Sequence, residues 1–354
     1  MSAADHVDAD DPEVAAILRE TVQLVERAGG HLDPGVTLVE RDHDLHLEVR
    51  NPDSEGGERI VVPERVLVPE EAWTDPDAVR ELEPDTRRAH ELVDQLFRHC
   101  RKIERFAPLS PRVAASSDHD LVTALASTRA QPAESIPVDP VRAFLGSRAI
   151  HVRRAEPPAG RIGVLMPVVD LANHHPDAEQ FSISRGALSI TARPTGVWPE
   201  FAVRYAWSRD ALDLAIWFGF LHEGTRTANC VPVRIELPHD LVLQVDGRRP
   251  RQQRPPSIRP IDDGIAIADV QFRDDGASAS ETYLGMAVTA MLVERGTSAR
   301  EAGTTAARVV EQVVDRNVEI YSDVADVAAA GGSPAHQLVA DAARLNVAVL
   351  SNRR

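Results

Sequence analysis

The sequence predicts an α+β protein in which a split, β-rich body is interrupted by one block of helices and followed by another. Three observations carry this expectation. Apolar residues switch along the chain between a repeat of two and a repeat of about 3.6 residues. Strand-like segments flank a helical block on both sides, and the composition turns rich in Ala, Val and Glu after Gly276-Ala277-Ser278.

The elements follow in order. Pro12 to Arg27 sets Val14, Ile17, Leu18, Val22, Leu24 and Val25 at helical spacing, and Gly29-Gly30 supplies a stop. Residues 36 to 50 and 59 to 68 alternate or run in β-branched residues between Asn51-Pro52-Asp53 and Gly56-Gly57, so they read as strands joined by turns. Helical periodicity returns over 87 to 106, 118 to 127 and 141 to 150, the last started by Asp139-Pro140. Residues 71 to 150 are therefore a helical insertion.

From Arg161 an apolar run (IGVLMPVVDLANHH) leads into two alternating segments around Arg185-Gly186, the pattern of a hairpin. Residues 201 to 205 form a further short strand, and Ser208-Arg209-Asp210 opens a helix through Phe218, with Ser208 as its N-cap. Strand-like pieces within 231 to 273 surround a Pro/Arg/Gln-rich loop at 247 to 260. Three helices close the chain, at about 279 to 295, 299 to 322 and 334 to 350, with Gly331-Gly332-Ser333-Pro334 between the last two. The expected domains are residues 1 to 278 and a C-terminal helical domain at 279 to 354.

A chain of 354 residues with 43% hydrophobic residues can bury one large core or two modest ones. Acidic residues outnumber basic ones 55 to 39, for a net charge of -16, and no basic stripe offsets them. Nucleic acid and anionic membrane are disfavoured as partners, because counterion release needs clustered cations. Cys100 and Cys230 are too few and too distant for a disulfide framework or a cysteine zinc site. Residues 1 to 13 lack a signal pattern and no window approaches a membrane span, so a cytoplasmic protein is expected.

Two segments could carry chemistry. Asp170-Leu171-Ala172-Asn173-His174-His175 follows the apolar run directly, although such a cluster can simply cap or turn the chain. A metal reading would use His174, His175, His151 and His222-Glu223. Adjacent histidines in extended chain face opposite ways and no H-x-x-x-H spacing exists, so no metal is expected. Arg204-Tyr205-Ala206 ends a strand, and Trp217-Phe218-Gly219-Phe220 ends the next helix, where Gly219 serves as a C-cap.

In order, these pieces resemble the SET-domain protein methyltransferases, in the branch of the Rubisco large-subunit and actin-histidine methyltransferases. Phe144-Leu145-Gly146-Ser147-Arg148-Ala149-Ile150 is similar to the family's S-R-A-F segment, and Pro167 to His174 to its P-x-x-D-x-x-N-H. Arg193-Pro194-Thr195-Gly196 resembles the turn before the catalytic strand, residues 201 to 205 the strand ending in Y-G, and residues 208 to 220 the helix S-N-x-E-x-x-x-x-Y-G-F. Val62-Pro63-Glu64-Arg65 is similar to an upstream V-P-x-x-L piece. Apart from that upstream piece the motifs span residues 142 to 222, and the layout of helical insertion and trailing helices agrees with that branch.

The resemblance implies a split β-rich SET-like domain and methyl transfer from S-adenosylmethionine to a protein or peptide side-chain nitrogen. Within it Tyr205 would be catalytic, Asn173, His174, Arg148 and Phe220 would bind the donor, and Asp170 and Ser147 would line the acceptor side. The sequence departs from the family in three places: no early G-x-G segment is present beyond Ala28-Gly29-Gly30 and Gly35-Val36, Ala206 replaces the glycine after the tyrosine, and Phe218 replaces the tyrosine of Y-G-F. Two other readings stay open, a methyltransferase for a small molecule or peptide natural product, and a SET-like interaction module without donor binding.

Overall fold

The computed structural model describes residues 3–49, 59–129, 133–153, 161–175, 178–184, 186–191, 200–205, 209–247, 255–274 and 279–353. The chain folds as a mixture of helices and strands in two compact units, Met1–Phe106 with Phe144–Tyr205, and Ala107–Ala143 with Ala206–Arg354. The expected turns at 51 to 53 and 56 to 57, Arg185 of the hairpin, the 193 to 196 turn, Ala206, Ser208 and the 276 to 278 segment lie outside the described residues.

The first unit begins with the Pro12–Arg27 helix. Asp11 caps it by accepting from the amides of Glu13 and Val14 at 2.8 and 3.4 Å, and Val14, Leu18, Val22 and Val25 on one stripe are fully buried. The helix ends at Gly29, whose φ is +88°, and Gly30 lies so near the next strand that a Cβ would fall 2.5 Å from the Val61 carbonyl. These glycines are thus accounted for by the helix exit.

Strands on either side of the helical block share one sheet. Arg59–Pro63 pairs antiparallel with Ala187–Thr191, which pairs in turn with Ser182–Ser184 as the expected hairpin. Val36–Arg41 and Asp44–Val49 form a second hairpin, to which Val7–Ala9 adds in parallel. Val68–Pro69, Arg161–Leu165 and Ile150–Arg153 form a third sheet, so Ile150 belongs to a strand and the expected helix stops earlier, at Arg148. The helix expected over 87 to 106 is two helices, Pro84–His99 and Lys102–Phe106, because Arg101 takes a left-handed φ of 49° between them.

The second unit has its own core. Ala211–Phe218, a sheet in the order Pro232–Leu237, Leu241–Asp246, Gly264–Ala268, Ser257–Ile261, and the helices Ala279–Glu294, Ala299–Ala330 and Pro334–Asn352 all contribute to it. The expected boundary at 278 is therefore not where the contacts divide, since the terminal helices bury their apolar faces in the same core as the strands before them. The insertion at 71 to 150 is likewise divided, because Pro84–His99 packs on the first helix while His119–Ser127 packs on Ala299–Ala330.

Two local differences have simple causes. Residues 257 to 260, read from sequence as the end of a loop, form with Ile261 an edge strand, where Pro260 costs no interior ladder bond. Ala299–Ala330 outruns its expected end at 322 because Val324, Ala325 and Ala328 continue the buried stripe and no breaker intervenes before Gly331. Among the described residues no helix is long and apolar enough to cross a membrane.

Candidate functional site

The site is built on the stretch from Met166 to Tyr205 of the first unit. After the Arg161–Leu165 strand the chain turns sharply at Val168, whose φ of 72° and ψ of -54° place a β-branched residue in a strained γ-turn. Such strain costs roughly 1 to 3 kcal/mol and persists only where the surroundings impose it. Asp170 imposes it here. Its Oδ2 accepts from the Met166 amide at 2.8 Å, its own amide donates to the Met166 carbonyl at 3.0 Å, and Val168 is buried.

The chain then leaves as Asn173–His174, which pairs in parallel with Ala202–Val203. This pairing brings Tyr205 to His174: the Tyr205 amide donates to His174 Nδ1 at 3.1 Å, and the ring centroids are 5.1 Å apart. The Tyr205 hydroxyl donates to the Ala172 carbonyl at 2.9 Å. Arg148, at the end of the Pro140–Arg148 helix, donates from Nη1 to the Asp170 carbonyl at 2.6 Å and lies 4.8 Å above the Phe144 ring. Three separate segments thus gather Arg148, Asp170, His174 and Tyr205.

The remaining candidates are placed differently. Asn173 is exposed and donates to Glu200. Ser147 is buried and returns its hydroxyl to the Phe144 carbonyl at 2.6 Å, within its own helix. Phe220 belongs to the second unit, where its ring lies 6.3 Å from that of Phe218. Sequence reading places Phe144 in a motif but gives it no role, and it misses Glu200. Phe144 was within reach, since it stands four residues before Arg148 on one helix face; Glu200 follows a stretch without periodicity and gave no signal.

Burial dominates the electrostatics. It pushes the Asp170 carboxyl up to about 7, against the opposing pull of the Arg148 charge and the Met166 amide. Asp170 Oδ1 has no partner among the described residues, and a cavity of about 10 Å³ beside it, lined by Leu18, Thr21, Leu38, Phe97 and Pro167 among others, has room for one water. Burial also raises Tyr205, with Arg148 opposing and Asp170 and Glu200 adding. The tyrosine is therefore a neutral hydroxyl at physiological pH, suited to polarise and orient rather than to abstract a proton. Cys100 is fully buried and its thiol is pushed up to about 11, which removes it as a nucleophile.

Compared with known proteins, the chain matches no family model, and no curated protein matches it. Among solved structures it is similar to the SET domain of LSMT bound to lysine and AdoHcy. That likeness covers 96% of this chain and 90% of that one, at 12% identity and a TM-score of 0.41.

Proposed function

We propose that this chain is an S-adenosylmethionine-dependent methyltransferase of the SET type, acting on a side-chain nitrogen of a protein or peptide. The observation that carries the reading is the gathering of Arg148, Asp170, His174 and Tyr205 in the first unit. These are residues of the motifs that resemble the family, drawn from positions up to 57 apart in the 354-residue sequence. A merely structural tyrosine two residues beyond a short strand has no need of an arginine and a histidine beside it.

The residues present suit the donor. Arg148 Nε is buried without a partner among the described residues, which leaves a guanidinium edge for a carboxylate. The donor, when bound, supplies an electrophilic methyl group on a sulfonium. On this reading Arg148 holds its carboxylate end, Asn173 and His174 hold its amino-acid end and adenine, and the hydroxyl of Tyr205 with the carbonyl of Ala172 provides the polar edge against which the acceptor is aligned. Positioning and exclusion of water then provide most of the rate. Asp170 with Ser147 on the acceptor side remains part of the proposal.

The test is calorimetric titration of the chain with S-adenosylmethionine and S-adenosylhomocysteine, alongside Arg148→Met. Micromolar binding is expected, weakened at least about tenfold in the variant, because Met cannot form the charge-assisted hydrogen bond to a carboxylate. A second reading has its own observation: Gly29 and Gly30, which the sequence offers in place of the missing G-x-G segment, are accounted for by the helix exit. Absence of binding at millimolar donor would favour that interaction module. Mass spectrometry of peptides and metabolites from a lysate incubated with donor distinguishes a protein acceptor from a small one.

A further inference from the structure

A second constellation lies in the first unit, away from any motif, where the start of the first helix, the Asp42-His43 turn and the end of the Pro84–His99 helix meet. Asp11, His43 and His99 each offer one ligand atom, and these atoms all lie within 4.8 Å of one another. Asp11 Oδ2 sits 2.7 Å from His99 Nε2, the His43 and His99 ring centroids are 6.2 Å apart, and Glu13 Oε2 lies 3.8 Å from His99 Nδ1.

We infer that Asp11, His43 and His99 form a binding site for a divalent transition-metal ion of the zinc, cobalt or nickel class. Two imidazoles and one carboxylate are the donor set these ions favour, whereas magnesium and calcium require oxygen ligands. The support around the ligands points the same way. Asp11 Oδ1 is held by the Glu13 and Val14 amides, which leaves Oδ2 as a single oriented donor. Glu40, 1% exposed, spans the site from below: Oε2 accepts from the Asp11 amide at 3.0 Å and Oε1 from the His43 amide at 2.7 Å. One buried carboxylate thus fixes the separation of two ligand-bearing backbones, the role that outer partners play in metal sites. His43 is exposed, and its turn takes φ values of 50° at Asp42 and 63° at His43, so the imidazole stands at the solvent edge where an ion can enter and keep a water.

The competing account is an Asp11–His99 hydrogen bond that joins two helix ends and needs no ion. His43 separates the two, because that bond does not involve it. His43→Asn tolerates the left-handed backbone and removes the imidazole. With tag-free, full-length chain, titration with Co²⁺ followed by visible d–d absorption, and with Zn²⁺ by calorimetry, should show one saturable site in the micromolar range. Zn²⁺ should raise the Tm of the parent chain. In His43→Asn, affinity should fall about 10- to 100-fold with the metal-free Tm and circular dichroism retained, and Asp11→Asn should weaken binding as well. Failure of Co²⁺ and Zn²⁺ to saturate one site below millimolar concentration, or equal affinity in His43→Asn, would overturn the assignment. Donor binding does not enter these measurements, so their outcome is independent of the methyltransferase reading.

Discussion

Tyr205 and Asp170 illustrate how burial sets the chemistry of single residues. Tyr205→Phe keeps the ring beside His174 and removes the hydroxyl that meets the Ala172 carbonyl. On the proposed function the expected result is methyl transfer lowered roughly 10- to 1000-fold, about 1.4 to 4 kcal/mol of barrier, with donor affinity little changed. The same variant should lose about 1 kcal/mol of stability. Single-turnover transfer and urea unfolding on one preparation separate the two effects, and unchanged transfer would remove Tyr205 from the site. Asp170 yields a pH prediction. Its folded-state carboxyl titrates near 7 against an ordinary value of 3.8, so the folded chain holds more protons between those limits. Stability therefore falls as pH rises through that window, by on the order of 4 kcal/mol in full. Asp170→Asn keeps an acceptor for the Met166 amide and carries no charge, so its stability should lose this slope and exceed that of the parent at pH 8. Parallel pH profiles of the two proteins would refute the protonated carboxyl.

At the scale of elements, the Ala211–Phe218 helix shows what a cap can anchor. Asp210 takes the Asp213 amide at 2.7 Å on one oxygen, and the Asn229 amide and the Tyr321 hydroxyl on the other, at 3.0 and 3.2 Å. Asp213, fully buried, pairs with Arg129 and accepts from Asn229 Nδ2 at 2.9 Å. Helix, strand and the long Ala299–Ala330 helix are thereby locked by polar contacts inside an apolar core. Asp213→Ala strips the carboxylate from a buried guanidinium and should cost about 3 to 5 kcal/mol in denaturant unfolding; a loss under 1 kcal/mol would show that the pair is dispensable. The helix itself was legible from apolar spacing, and so was its end, where Gly219 takes a φ of 72°. Its start was not. Ser208 and Asp210 are both good caps, and only the contacts made with Asn229 and Tyr321 favour the aspartate.

At the scale of the molecule, two cores rather than one govern stability. One gathers Leu18, Leu38, Leu47 and Ile60 with their neighbours, and the other Leu212, Leu243, Phe272 and Val313 with theirs. Differential scanning calorimetry should therefore resolve two components. Asp170→Asn should move only the component of the first unit and Asp213→Ala only that of the second. A single transition shifted equally by both variants would show the units to unfold together.

The sequence by itself determined the alternation of helix and strand, the apolar faces and the hairpins, because periodicity and turn chemistry are local properties. It also supplied the motif residues that came together, namely Arg148, Asp170, His174 and Tyr205. Only the tertiary structure decided which segments share a core. The boundaries at 106, 143 and 205 fall where no composition shift marks them, because an amphipathic stripe shows that a face is buried but not against what. Tertiary structure likewise decided that Asn173 turns to Glu200, that the Asp170 carboxyl is held by burial near neutrality, and that Asp11, His43 and His99 meet. These are consequences of desolvation and of contacts between residues distant in sequence, and neither is encoded in spacing along the chain.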